Sequence, residues 1–417
     1  MSFITGLTRM WLTRTVKPFT FKNGYDQILP YAECENLGLY VHIPFCKSIC
    51  NFCPYCKVRY SAELCDRYID SLIQEIHIVG SQHAEHRKAT SLYFGGGTPA
   101  LAANRIKEIV NALSEHFIIT EGIGLELHPD NVNVETLQML KDAGVTKISI
   151  GIQSFCDKYQ KILGRKKIDT AEMMSALSAV SFETVSMDFI FALPGQTYDD
   201  LKSDIDTAFS LGANHVAIYP FIDFTFTESP ITAMPKKDKR ELLDAITRYC
   251  LGKGYSRNSI WTFSSGTDAN YSSMTRDNFL GFGCSATSLF KEQFKINTFD
   301  VDSYCERIRS GNLATSLTIR FTKRQRMVYW LFWTAYSTRV TAKDFEKFFG
   351  VSLKKMYGFE LWVAKQLGLV KEHNGTYEMT LKGAFYYHYY ENFYTLSYID
   401  KMWGIMRKEA FPEQIEL

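Results

Sequence analysis

Cys46, Cys50 and Cys53 stand at C-x3-C-x2-C spacing in YVHIPFCKSICNFCPYC, the stretch Tyr40–Cys56. A thiolate trio this compact, placed after a strand-like run at Gly38–Ile43, can ligate three irons of a cubic 4Fe–4S cluster and leave the fourth iron open. An open iron is a place for a substrate or cofactor to chelate, whereas structural clusters and zinc sites usually close with a fourth ligand. Zinc is the competing reading. Cys53-x2-Cys56 has the spacing of half a zinc knuckle, but no second C-x2-C or H-x3-H half follows it. Cys56 is then a spare thiol, a residue behind the cluster ligands, or a transient ligand.

Further polar residues fall at the ends of strand-like runs. Ser91–Phe94 runs into Gly95-Gly96-Gly97-Thr98-Pro99, where glycines let a ligand approach the backbone closely. This turn comes one β/α unit after the cysteines, where a cofactor's amino-acid moiety should lie. Gly122–Leu127 carries Glu126, Lys147–Ile152 leads to Gln153, and Arg165 lies in the loop beyond. Val185–Phe191 carries Asp188, and His215–Tyr219 ends at Pro220. A carboxylate near the C-terminal end of a parallel strand reads as functional in a barrel; the plain alternative is a solvated edge group. Cys284 is lone and apolar-flanked, which suits a small buried hydrophobe.

The elements that must position these residues alternate. Helices are expected at Ala62–Val79, Ala103–Phe117, Val134–Ala143, Thr170–Val180 and Tyr198–Leu211, between the runs above. Strand–helix alternation with short loops argues for parallel β/α units. The expected fold is α/β, a partial (β/α)6 barrel open at the side, with a C-terminal winged-helix-like α+β module. The expected division is 1–37 as an N-terminal extension, 38–235 as the core barrel, 236–320 as its extension and 321–417 as the C-terminal module. Met274–Leu289, glycine-rich, is expected to close over the barrel mouth. The tail Phe385–Tyr398 is dense in aromatics, which either pack or line a pocket for a flat conjugated ligand.

The chain has 417 residues and a net charge of +2, with no basic tract, so nucleic acid is not an expected partner. Ten cysteines, partly clustered, suggest metal ligation in a reducing compartment and a cytoplasmic location. No apolar run is long enough to span a bilayer. Arg9, Arg14 and Lys17 interleave with Leu7, Trp11 and Leu12, giving an amphipathic helix that rests on the protein itself or makes a peripheral membrane contact.

With the cysteines, GGGTP, Glu126, GIQSF, Asp188 and LPGQT in hand, the chain resembles the oxygen-independent coproporphyrinogen III oxidase-like family of radical S-adenosylmethionine (SAM) proteins. The likeness runs from about Leu39 into the C-terminal module. The family includes the oxidase, haem chaperones, haem-cleaving enzymes and class C radical SAM methyltransferases. The resemblance implies that Cys46, Cys50 and Cys53 hold the cluster and that its open iron takes the amino and carboxylate groups of SAM. It implies contacts to this SAM from Tyr40, Phe52, Gly96 and Glu126, with Pro220 near the adenine. It implies that Gly97, Thr98, Gln153, Arg165 and Asp188 hold a second SAM. It also implies an external electron donor such as flavodoxin or ferredoxin.

Two departures weigh on the choice within the family. The oxidase continues its motif as C-x-C, whereas Pro54 and Tyr55 precede Cys56 here. Met274–Leu289 offers only Arg276 as a cation, although tetrapyrrole carboxylates should want several. The expectation from sequence is therefore class C C-methylation of an sp2 carbon in a conjugated small molecule such as a quinone. The rivals are a coproporphyrinogen oxidase or other tetrapyrrole-processing enzyme and, outside catalysis, a haem chaperone using His42 or Cys56 as a ligand. A lone histidine in a strand is, however, more often packed or hydrogen-bonded.

Overall fold

The computed structural model describes residues 3–227, 229, 231–266 and 277–417, with side chains from residue 6 onward. Its centre is a run of parallel strands, Leu37–Ile43, Ser91–Gly96, Ile123–Leu127, Lys147–Gln153, Thr184–Phe191 and His215–Pro220, paired in chain order. These strands are Val-, Ile-, Leu- and Phe-rich because helices cover one face and side chains fill the other. Val41, Ile43, Phe94, Leu125, Ile148, Ile150, Met187 and Phe189 are fully buried. This is the expected α/β fold, a partial (β/α)6 barrel with a mixed sheet continued beyond it.

The helices start where local chemistry says they should. Ser61 caps Ala62–Gly80 by accepting from the Leu64 N–H at 3.2 Å. Thr197 and Asp200 form a reciprocal capping box at the start of Tyr198–Ser210. One boundary differs from expectation. The helix Ala103–Ser114 stops short of Phe117, and Phe117–Ile119 leaves it to pair in parallel with Arg87–Ala89. An aromatic followed by two isoleucines fits a pleated surface better than a helix end.

The sheet continues on both sides of the barrel strands, to 14 strands among the described residues. Thr262–Ser264 adds antiparallel to His215–Pro220. On the other side Asn278–Phe282 pairs in parallel with Leu37–Ile43, with Gly281 opposite Tyr40. This corrects the expectation of a closing segment. Met274 and Arg276 lie outside the described residues, and the rest is sheet wall. Gly281 lets the following chain fold back, since a Cβ there would stand 2.2 Å from the Thr287 carbonyl oxygen.

Beyond it, Gln293–Asn297 and Thr315–Arg320 lead to the chain ends, where Thr20–Lys22 pairs with both Thr315–Arg320 and Gln414–Glu416. A buried polar knot ties this extension to the first helix. Glu75 accepts from the Gly283 N–H at 2.7 Å, the Tyr304 hydroxyl at 2.7 Å and Asn297 Nδ2 at 2.9 Å. Lys295, fully enclosed nearby, has its ammonium pushed down to about 8 by burial, partly offset by Glu75.

Residues after Thr322 form helices Lys323–Tyr336, Ala342–Phe349 and Leu353–Gln366 beside a three-stranded sheet of Arg339–Thr341, Thr376–Met379 and Val370–His373. The aromatic tail is the helix Leu381–Tyr394 followed by a π-helical turn, Thr395–Ile399. The N-terminal helix Phe3–Thr13 lies on the protein, against Lys323–Tyr336 and Leu381–Tyr394. Among the described residues no helix is long and apolar enough to cross a membrane.

Candidate functional site

Strand register brings the polar residues to one edge. His42 pairs with Gly95 and Ile43 with Gly96, Glu126 with Ser149, and Asp188 with Gly151. The fourth strand then slips by one residue, so Phe189 pairs with Gln153. Gln153 has φ of 71°, a left-handed conformation that non-glycine residues seldom adopt and that clusters at functional sites. All these residues lie at the C-terminal ends of parallel strands, where a barrel builds its site.

The cysteine loop is held against this edge. The N–H groups of Val58 and Tyr60 donate to the carbonyls of Pro44 and Cys46 at 2.7 and 2.9 Å. Lys57 donates to the Cys53 carbonyl, and Arg407, reaching in from the C-terminal helix, donates to the Pro54 carbonyl. The Gly95–Thr98 turn lies directly against the loop. Gly96 has φ of 128°, and a Cβ on Gly97 would stand 2.6 Å from the Phe45 oxygen and 2.9 Å from Cys46 Sγ. Glycine at 97 is therefore a matter of contact and at 96 of conformation as well.

Cys46, Cys50 and Cys53 are free thiols, half-buried, on the wall of one cavity. They do not converge as a mononuclear site would. Tetrahedral zinc with bonds of about 2.3 Å needs sulfurs about 3.8 Å apart. The trio of metal-type donors lying within 4.8 Å of one another among the described residues is a different one, far along the chain from these cysteines. Spread thiols facing one chamber suit the larger cube. Cys56 turns the other way, with its Sγ 3.8 Å from Cys284 Sγ and 3.2 Å from the Phe299 oxygen. Both are buried. His42 is a packed, hydrogen-bonded residue: Nδ1 is 2.9 Å from the Tyr40 hydroxyl and Nε2 is 3.1 Å from the Cys56 oxygen.

Tyr40, Phe52, Gly96, Gly97, Thr98, Glu126, Gln153, Arg165, Asp188 and Pro220 all line the same cavity as the three cysteines. Glu126 accepts from the Tyr93 hydroxyl at 3.0 Å and the Gly96 N–H at 3.2 Å. Burial, and then the neighbouring Asp188, push its carboxyl up to about 7. Asp188 accepts from Ser149 at 2.8 Å and Ser186 at 3.2 Å, and burial pushes it up to about 6. Arg165 donates to the Gly151 carbonyl. Tyr93, Ser149 and Ser186 were not legible as site residues. Each is one more polar side chain in an apolar strand, and only the strand pairing reveals its partner.

The cavity measures about 1370 Å³ and runs from the cysteines to the C-terminal helices. Tyr387, Tyr390, Glu391, Tyr394 and Tyr398 line its far end together with Phe332, Tyr336 and Trp403. Spacings of three and four residues put the tail's tyrosines on one helix face, so the aromatic tail does more than pack. Glu391 accepts from Thr395 at 3.1 Å, but its second carboxyl oxygen is buried without a partner. Burial pushes this carboxyl up to about 7. Arg9, Lys47, Lys57, Lys147 and Arg165 also reach the cavity. Cations thus line the cavity from positions outside Met274–Leu289, although Lys147 begins its strand and so lies away from the mouth.

Residues 40–208 match the radical SAM superfamily model. This stretch is therefore a radical SAM domain, of a class whose cofactors are a 4Fe–4S cluster and S-adenosylmethionine. More narrowly, the chain is similar to haem chaperones and oxygen-independent coproporphyrinogen III oxidases of that class. It is 28% identical to the haem chaperone HemW of Lactococcus lactis, over 82% of this chain and 93% of that one. It is 25% identical to the oxygen-independent coproporphyrinogen III oxidase of Pseudomonas aeruginosa, over 70% of each. The solved coproporphyrinogen III oxidase of Escherichia coli superposes with a TM-score of 0.75 at 21% identity, covering 92% of this chain and 96% of that one.

These relatives overturn C-methylation as the reading of this chain. Chains similar over most of its length are haem chaperones and porphyrinogen oxidases. The residues that suggested methyl transfer, Gly97, Thr98, Gln153, Arg165 and Asp188, are positions the oxidase itself is expected to share. They therefore never discriminated between the two reactions.

Proposed function

We propose that this protein is a radical SAM enzyme acting on a tetrapyrrole held between the cluster and the aromatic wall. One observation carries the reading. A single chamber of about 1370 Å³ joins the cysteines, the polar strand ends and the tyrosine-lined helices. Ligand pockets are commonly about 300–1,000 Å³, so this one has room for a cofactor and a large flat ligand together.

Cys46, Cys50 and Cys53 would hold the cluster, and Tyr40, Phe52, Gly96, Glu126 and Pro220 would hold SAM. Bound and reduced by an external donor of flavodoxin or ferredoxin type, this pair supplies one-electron, hydrogen-abstracting chemistry. The chain's own groups do the rest. Glu126 has its carboxyl held up to about 7 by burial and Asp188, and an ammonium group arriving beside it favours the carboxylate. Gln153, Arg165 and Asp188 would orient polar groups between cofactor and substrate. The tyrosines stack on the macrocycle and keep water out. Glu391, whose second carboxyl oxygen is buried without a partner, lines the same end, and a rotation of its side chain would offer that oxygen to a pyrrole N–H.

The test is anaerobic. Cluster-loaded protein with dithionite and SAM should release 5′-deoxyadenosine faster when coproporphyrinogen III or haem is added, and the tetrapyrrole should change mass. Absence of tetrapyrrole binding at tens of micromolar would sink the reading. A second reading, a haem carrier, is favoured by the similarity to HemW across 93% of that protein. It predicts haem bound and passed on unchanged.

The N-terminal helix gives this site an outer face. Its Thr8, Arg9, Leu12 and Thr13 reach the cavity, while Leu7 and Trp11 are 47% and 50% exposed. Trp11 meets Phe359 at 6.1 Å, and Phe359 stacks on Trp362 at 6.1 Å. Phe359 and Trp362 are 59% and 56% exposed, on a helix that also carries the exposed Lys354 and Lys355. Exposed aromatics beside lysines suit the interface of an anionic bilayer. On this reading, peripheral membrane contact brings an apolar ligand to the chamber.

A further inference from the structure

A second group of metal-type donors lies away from the cavity. His77 is in the last turn of the helix Ala62–Gly80, and Glu115 and His116 directly follow the helix Ala103–Ser114. His77 Nδ1 is 3.2 Å from His116 Nε2 and 3.8 Å from Glu115 Oε2, and one donor atom from each residue lies within 4.8 Å of the others. Two nitrogens bound to tetrahedral zinc at about 2.0–2.1 Å stand about 3.3 Å apart. The imidazole pair already has that spacing.

The surroundings hold the trio in place and favour a cation. Gly80 does not need glycine for a left-handed backbone; it leaves room for a ring, because a Cβ there would stand 2.2 Å from His116 Cγ. His116 is thus seated in a slot on the helix that carries His77. Its backbone is tied at both groups, donating to the Leu113 oxygen and accepting from the Arg87 N–H, each at 3.0 Å. Two helices end here, and the partial negative charge at helix C-termini stabilises a positive ion.

None of the three residues lines the cavity. Arg87–Ala89, which pairs with Phe117–Ile119, comes just ahead of the strand Ser91–Gly96. The trio therefore lies at the edge where the barrel strands begin, and the cysteine loop lies where the first strand ends. We infer that His77, Glu115 and His116 form a surface site for a divalent transition metal of zinc type. The metal would staple the helix Ala62–Gly80 to the chain that enters Phe117–Ile119, with water or the nearby exposed His86 as fourth ligand.

The test uses the cluster-loaded full chain, stripped with EDTA and equilibrated with zinc chloride, with zinc and iron counted in the same sample. One zinc per chain is expected at unchanged iron content, with a zinc-dependent rise in melting temperature. His77→Gln and His116→Gln should each bind zinc at least tenfold more weakly while melting like the wild type without zinc. Gly80→Ala should also weaken binding, although it removes no ligand. Zinc retention equal in the wild type and the His77→Gln/His116→Gln double variant would overturn the site. So would zinc taken up only at the expense of iron.

Discussion

Gly97 and Cys46 are in contact: a side chain on the glycine would begin 2.9 Å from the cysteine sulfur. The turn and the cysteine loop thus fit as one surface, and the Thr98 hydroxyl lies 4.0 Å from the same sulfur. Gly97→Ala should push the loop outward at a cost of about 1–3 kcal/mol. The expected outcome is a folded protein that retains less than half the wild-type iron and sulfide after reconstitution. Full cluster content in this variant would show that the contact is dispensable.

Cys56 and Cys50 should behave differently, although they are near neighbours in the chain. Cys50 faces the cavity between the other two ligands, while the Cys56 sulfur sits on Cys284 and the Phe299 oxygen. Cys50→Ala should lose the cluster and the brown absorption near 400 nm, a wavelength expected on the order of that for iron–sulfur charge transfer. Cys56→Ala should keep both, with a stability loss of about 1–2 kcal/mol from the small cavity it leaves.

The carboxyl of Glu126 is raised in the folded chain from 4.5 to about 7. The folded state therefore holds a proton that the unfolded state has already released, and stability falls as pH rises through that window. Denaturant unfolding of the cluster-free protein should show this fall between roughly pH 4.5 and 7, on the order of 1–3 kcal/mol. Glu126→Gln should make it shallower, the remaining fall coming from other buried carboxyls that act in the same direction, Asp188 up to about pH 6 and Glu391 up to about pH 7. An unchanged slope in Glu126→Gln would mean that the carboxyl is already ionised in the empty chamber.

Glu391 is a buried carboxyl with one hydrogen bond to give away, beside a π-helical turn. Such turns are rare and often mark functional positions. Glu391→Gln keeps the shape and changes the acceptor. On the proposed function it should weaken tetrapyrrole binding about tenfold, the worth of one buried hydrogen bond to a charged or acidic group, and leave cluster content unchanged. Equal binding in a spectroscopic titration would remove Glu391 from the ligand site.

The exposed cluster of Trp11, Phe359 and Trp362 makes the membrane reading measurable. Sedimentation with anionic phosphatidylglycerol vesicles should carry down the wild type, and Trp11→Ala/Trp362→Ala should bind at least tenfold more weakly at equal stability. Binding that is equal for both proteins, or absent for both, would leave this face without a bilayer partner.

The three cysteines proposed to hold the cluster stand out in the sequence because they are local: they fall within one short loop and carry their own spacing. The alternation of β and α was readable for the same reason, since hydrophobic period is a property of adjacent residues. What the tertiary structure decided is everything that depends on residues far apart in the chain. Register placed Ser149 and Ser186 on Asp188, and Tyr93 on Glu126. Folding turned Cys56 away from its neighbours onto Cys284, 228 residues later. It made Asn278–Phe282 a wall instead of a lid and gathered cations from four separate stretches around one cavity. It also set His116 in the slot left by Gly80. Side-chain direction and chain return are fixed by packing across the core, and no window of sequence contains both partners of such a contact.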